Sequence, residues 1–160
     1  MSLLEIIENL PQNSPLTWVP FNPGHVMTMN LDKSLLETVS RVVPLEVMLE
    51  NQAAHGHAIT VILHGKPAAV FGTVSIWEGV GEMWMLCEER FRKYGKSMTR
   101  AALAYTDCTV IAGNLHRLQI TVRCADLRAV RWAMVLGFEI EGMMKRYGPD
   151  QSDFYLMSKT

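Results

Sequence analysis

The feature that most constrains this chain is a change of period in its second half. Residues 82–87 read as a short strand, a polar interval follows, and then Met98, Ala101, Ala102 and Tyr105 recur at i, i+3, i+4 and i+7. A strand that passes through a polar loop into an amphipathic helix implies layers, because each element needs a partner for its apolar face. The interval reads Glu88-Glu89-Arg90-Phe91-Arg92-Lys93-Tyr94-Gly95-Lys96-Ser97, and its end has the form R-x-x-G-x-S. A diphosphate at a helix start is held by free backbone N–H groups and the helix dipole, which favours a residue without Cβ where backbone meets ligand. Gly95 supplies that residue, Ser97 is small, and Arg90, Arg92, Lys93, Lys96 and Arg100 concentrate positive charge there. Taken alone, the motif is better read as a solvated loop with a turn glycine, because short glycine motifs match often by chance.

Upstream, residues 31–43 carry apolar positions at helical spacing, and Pro44 can open a second helix that closes at His55-Gly56. Runs at 58–63 and 68–77 flank His64-Gly65-Lys66-Pro67, which is hairpin chemistry, and Gly72 inside the second run suggests a bulge. Downstream come a strand at 118–122, a helix at 126–136 closed by Gly137, and a final hairpin from 138–143 and 154–157. Residues 2–9 make a short amphipathic turn or two, after which Pro11, Pro15, Pro20 and Pro23 forbid regular structure. The expected fold is therefore α/β (α+β), a mixed and mostly antiparallel central sheet with helices on both faces. Residues 1–160 make one domain, with 1–24 as an irregular segment wrapping its surface.

Composition excludes several classes of function. Apolar residues make up 49% and charged residues 19% of the chain, which is globular, and a formal charge of −1 argues against broad nucleic-acid binding. No apolar run reaches the roughly 18 residues of a membrane span, and no basic leader precedes one, so a cytoplasmic protein is expected. Cys87, Cys108 and Cys124 are an odd set without framework spacing and read as core thiols in a reducing compartment. His55 and His57 lack further ligands, so no metal is expected. The eleven methionines read as core filling, although edge strands and the methionine-rich terminal hairpin leave a homodimer open.

R-x-x-G-x-[GA] between a strand and a helix resembles the acetyl-CoA pyrophosphate signature of the GCN5-related N-acetyltransferase (GNAT) family, with Ser97 in the last position. Asn114-Leu115-His116-Arg117-Leu118, then Asp126 and Ala129, Gly137-Phe138 and Glu141-Gly142, resemble the N-L-H-R, N-x-x-[AS] and G-F-x-x-E-G series of its protein N-terminal and ribosomal-protein branch. The resemblance extends through Arg146, Asp153 and Tyr155-Leu156-Met157 and covers about half the chain. It implies a GNAT fold and acetyl-CoA as co-substrate, with Leu86, Cys87, Arg92, Lys93, Tyr94, Gly95, Lys96, Ser97 and Asp126 as the cofactor-binding positions. It also implies that a backbone amide of the strand ending at Cys87 polarises the thioester carbonyl.

The implied activity is transfer of acetyl to an amine, whether a protein N-terminus, a lysine or a small molecule, by direct attack on the thioester. Glu82 and Glu88 are the candidate bases; alternation puts both on one face of the strand without saying which. Many family members protonate the leaving thiolate with a tyrosine seven residues after the asparagine of N-x-x-[AS]; here Asp126 replaces the asparagine and Ala133 the tyrosine. A thiol with pKa near ~8.5 leaves tolerably at neutral pH, and Tyr94, Tyr105 or water can substitute. Asp126 places a carboxylate near an anionic cofactor unless Arg123, Arg128 or Arg131 neutralises it, and it also reads as a helix N-cap. A second expectation is a fold-only relative acting in binding or assembly, since the layout also resembles acetyltransferase-like domains of bacteriophage virion proteins.

Overall fold

The computed structural model describes residues 3–10, 15–31 and 44–160. The helix expected at 31–43 lies outside them except for Leu31, which is buried. The elements are α1 (Leu3–Asn9), β1 (Leu16–Pro20), α2 (Pro23–Met27), α3 (Leu45–Ala54), β2 (Gly56–Leu63), β3 (Lys66–Trp77) and β4 (Val80–Cys87), followed by α4 (Glu89–Arg92), α5 (Gly95–Ala112), β5 (Arg117–Arg123), α6 (Leu127–Val135), β6 (Glu139–Met144) and β7 (Phe154–Lys159). The strands form one sheet in the order β1-β2-β3-β4-β5-β7-β6, antiparallel except where β4 meets β5. No helix among the described residues is long and apolar enough to cross a membrane.

Alternation along the strands builds two cores. Ile59, Val61, Phe71, Met83, Leu118 and Met157 point to one face, where α1 contributes Ile6 and α5 contributes Ala102 and Tyr105. Ala58, Val70 and Leu86 point to the other, where α2 and α3 contribute Val26, Leu45 and Leu49. Helices thus cover both faces, as the sequence implied. Tyr105 is fully buried, so its hydroxyl needs a partner and finds the Thr73 hydroxyl at 2.9 Å.

The irregular segment expected over residues 1–24 is corrected. Leu16–Pro20 is an edge strand paired with β2, and Leu16 and Trp18 are buried beside Ile6 and Leu10. Proline is tolerated in both places the pattern seemed to forbid. Pro20 ends an edge strand, where a missing donor costs little, and Pro23 opens α2 behind the Asn22 cap.

Gly72 makes no bulge: its register runs unbroken from Ala58 to Trp84, and the irregularities fall at Val61/Ile62 and Ser75/Trp77. A Cβ at Gly72 would stand 2.2 Å from the Trp84 indole, so the glycine makes room for a ring lying flat on the sheet. Gly72→Ala is therefore expected to destabilise the fold by roughly 1–3 kcal/mol through overpacking, read as a lower urea midpoint. The β2–β3 hairpin does follow its sequence signal, with His64 and Gly65 at φ 52 and 75 as a primed turn needs.

Candidate active site

The site begins where the sheet comes apart. β4 and β5 pair at Val80↔Arg117, Gly81↔Leu118 and Glu82↔Gln119 and then diverge, while β4 stays zipped to β3 as far as Cys87 and β5 to β7 as far as Arg123. Two parallel strands that part after three rungs leave a wedge with unpaired backbone on its inner edges.

On the α5 face, this wedge opens into a cleft of about 460 Å³. Met85 and Cys87 of β4, Arg92, then Gly95, Met98 and Thr99 of the first turns of α5 line one side. Asp126, Arg128, Ala129, Arg131 and Trp132 of α6 and its cap line the other. Two helix N-termini therefore face one space. That of α5 has no side-chain cap, which leaves its first N–H groups available to an anion. That of α6 is closed by Asp126, whose carboxylate accepts from the Ala129 N–H at 3.0 Å. Trp132 donates to the Thr99 hydroxyl at 3.0 Å, and Thr99 to the Gly95 carbonyl at 2.7 Å, so the two helix starts are tied together.

Of the nine positions expected to bind a cofactor, Cys87, Arg92, Gly95 and Asp126 line the cleft. The Leu86 side chain turns to the α3 face, Tyr94 hydrogen-bonds His64 at 3.0 Å, and Lys93, Lys96 and Ser97 are not among the lining residues. Arg90 is used elsewhere, donating to the Leu63, Lys66 and Pro67 carbonyls under the β2–β3 turn. The cationic lining comes instead from Arg92, Arg128 and Arg131. Arg123, a candidate for neutralising Asp126, is paired to Asp150 at 2.6 Å. Burial pushes the Cys87 thiol up, opposed by a hydrogen bond and the charge of Arg92, so it stands in the cleft wall as a neutral thiol.

The two candidate bases separate. Glu88 is 6% exposed and held by the Asn30 N–H at 2.8 Å and by Arg90, so it is a structural clamp that no acceptor reaches. Glu82 is half-buried on the last rung before the wedge, on the face away from α5, and accepts from Gln119 Nε2 at 3.0 Å. Tyr147, in the loop between β6 and β7, lies close enough that its phenol is pushed up by burial and then by the Glu82 charge. Neither tyrosine named as a substitute acid lines the cleft: burial pushes the Tyr105 phenol far up, and Tyr94 is turned to His64. Ala133, where many family members have tyrosine, is buried in the α5-face core.

Arg117 of β5 grips Glu141 of β6 with two hydrogen bonds of 2.7 and 2.6 Å, and Ser158 adds a third at 2.6 Å. These donors hold the Glu141 carboxyl at about 2, below its ordinary 4.5. Because the folded value lies below the unfolded one, the contribution to stability is complete above pH 4.5 and is lost as pH falls toward about 2. Glu141→Gln should flatten the dependence of stability on pH in that window, checked by urea denaturation at about pH 6 and about pH 3.

No protein-family model matches the sequence, and no curated protein does. Solved structures match closely in shape. Ard1 from Thermoplasma volcanium superposes with a TM-score of 0.72 at 17% identity over 90% of this chain and 96% of its own. The ribosomal L7/L12 α-N-protein acetyltransferase RimL does so at 0.73 and 18% over 94% and 92%, and RimL has also been solved in complex with coenzyme A. The ribosomal-protein-S5-alanine acetyltransferase from Vibrio fischeri follows at 0.68 and 16% over 94% and 95%. The fold is that of the GCN5-related N-acetyltransferases.

Proposed function

We propose that this chain, built on the GCN5-related N-acetyltransferase fold, transfers acetyl from acetyl-CoA to an amine, whether a protein N-terminus, a lysine or a small-molecule amine. The observation that carries the reading is the wedge. Two strands part at Glu82 and Gln119, and two helix N-termini with three arginines face the same cleft. Such a cleft suits a bent, anionic thioester: phosphates at the uncapped start of α5, the acyl arm along the open edge of β4. The neighbour solved with coenzyme A supports that choice of co-substrate.

In this reading Glu82 takes the proton from the acceptor amine, directly or through water. The amine nitrogen forms a bond to the thioester carbon, the carbon–sulfur bond breaks, and the thiolate leaves and is protonated by water. Backbone N–H groups on the open edge of β4 are the available donors to the developing oxyanion. Calorimetry with acetyl-CoA tests the first half, and thiol release in the presence of peptides with free α-amino groups tests the second. An absence of heat at millimolar acetyl-CoA would sink the proposal.

One observation favours a second reading. Ala133 occupies the position of the family's acid and is buried in the core, so no side chain of α6 replaces that tyrosine. A chain that binds acetyl-CoA without releasing thiol would be a catalytically degenerate relative serving in binding or assembly, as in a phage particle.

A further inference from the structure

We infer that Gln119 and Arg117 are positioning residues that hold the Glu82 carboxylate in one orientation at the mouth of the wedge. The inference rests on the reading of Glu82 as the base and adds the device that aims it. Five side chains on the sheet face away from α5 form one chain of hydrogen bonds across four strands. Ser158 Oγ donates to Glu141 at 2.6 Å, and Arg117 Nη1 and Nη2 donate to the same carboxylate. Arg117 Nε donates to Gln119 Oε1 at 3.1 Å, and Gln119 Nε2 donates to Glu82 Oε2 at 3.0 Å.

The direction of this chain follows from its chemistry. A guanidinium can only donate, so the end of the Gln119 amide that faces Arg117 must be the carbonyl oxygen. The amide nitrogen is thereby forced toward Glu82, which must accept. Without Arg117 the amide nitrogen would still favour Glu82, but nothing would hold the carbonyl end and so fix where the amide sits. Arg117 is itself fixed by a two-pronged grip on Glu141, which sets the plane of the guanidinium. One Glu82 oxygen is thus engaged, and Oε1 accepts no hydrogen bond among the described residues.

A structural staple between β5 and β6 would account for Arg117 and Glu141 alone, but not for the two further links to Glu82. The last link falls on the final rung before the strands part, where the position of a base matters most.

The test is a double-mutant cycle read by thiol release from acetyl-CoA, with a free α-amino peptide as the probe acceptor. Gln119→Leu is expected to lower kcat roughly tenfold to a hundredfold with the KM for acetyl-CoA unchanged. Arg117→Met should lower it less, with partial rescue in Arg117→Lys, and Gln119→Leu should have no further effect in a Glu82→Gln background. Independently of turnover, the Gln119 side-chain amide signals in NMR spectra should move on Glu82→Ala and broaden on Arg117→Met. Additive losses in the cycle, or amide signals indifferent to both substitutions, overturn the inference. A wild type that releases no thiol overturns the reading of Glu82 as a base. An active wild type whose rate ignores Gln119→Leu overturns the positioning role alone.

Discussion

Glu82→Gln is expected to cut turnover of acetyl-CoA by about 10²- to 10⁴-fold, the usual worth of a positioned general base. The substitution is nearly isosteric, and the new amide oxygen can still accept from Gln119, so the fold and the neighbouring strands should be undisturbed. Affinity for acetyl-CoA should also persist, because Glu82 does not line the cleft and sits on the opposite face of the sheet from Met85 and Cys87. The diagnostic pattern is a loss in kcat with the dissociation constant of acetyl-CoA unchanged. Steady-state kinetics with a peptide acceptor, set beside calorimetry, would show it. A variant that retains wild-type turnover removes Glu82 from the mechanism.

Gly95→Glu should do the reverse and abolish binding, with affinity for acetyl-CoA falling by roughly a hundredfold or more through like-charge repulsion at an anion site. An added Cβ at Gly95 meets nothing within 4 Å, so the side chain has room and the fold should survive, with unchanged circular dichroism. The glutamate would stand where the uncapped helix start and Arg92 face the cleft. Gly95→Ala separates charge from bulk and should cost far less. If Gly95→Glu binds acetyl-CoA like the wild type, the phosphates are not held at the start of α5.

The strands and helices after residue 56 were legible to within a few residues because their signals are local, except for α4 (Glu89–Arg92), which lies inside what read as a polar loop. Apolar periodicity, the Gly65 turn and the Gly137 stop each act over one or two turns of chain. The edge strand at Leu16–Pro20 was hidden because a proline at a strand's end and one at a helix's start read, in sequence, like two breakers in a row. Gly72 was misread because a bulge and a close-packed ring both need the missing Cβ, and only the cross-strand partner, Trp84, tells them apart.

The site divides along the same line. Gly95 and Arg92 stand in a motif that announces a helix start, and they do line the cleft. Glu82 and Glu88 share a parity that no sequence argument resolves into a face; burial and the Asn30 contact show that Glu88 is spent on structure. Gln119 and Tyr147 left no mark at all, since what matters in them is a neighbour 37 positions away for the first and the charge of Glu82, on a distant strand, for the second. Arg128 and Arg131 were weighed only as neutralisers of Asp126, whereas the start of α6 turns them into the cleft.

The parting of β4 and β5 also divides the chain by order of synthesis. Every ladder of the β1 to β4 half closes within residues 16–87, and every ladder among β5, β6 and β7 closes within residues 117–159. Among the described residues, the three rungs between β4 and β5 are the only backbone ladder joining the halves. On a ribosome, the first half can zip before the second has emerged, and α5 is the segment paid out in between. The wedge of the finished protein is, to the growing chain, a seam in the backbone pairing between two pieces whose shared core on the α5 face closes only when the second has arrived.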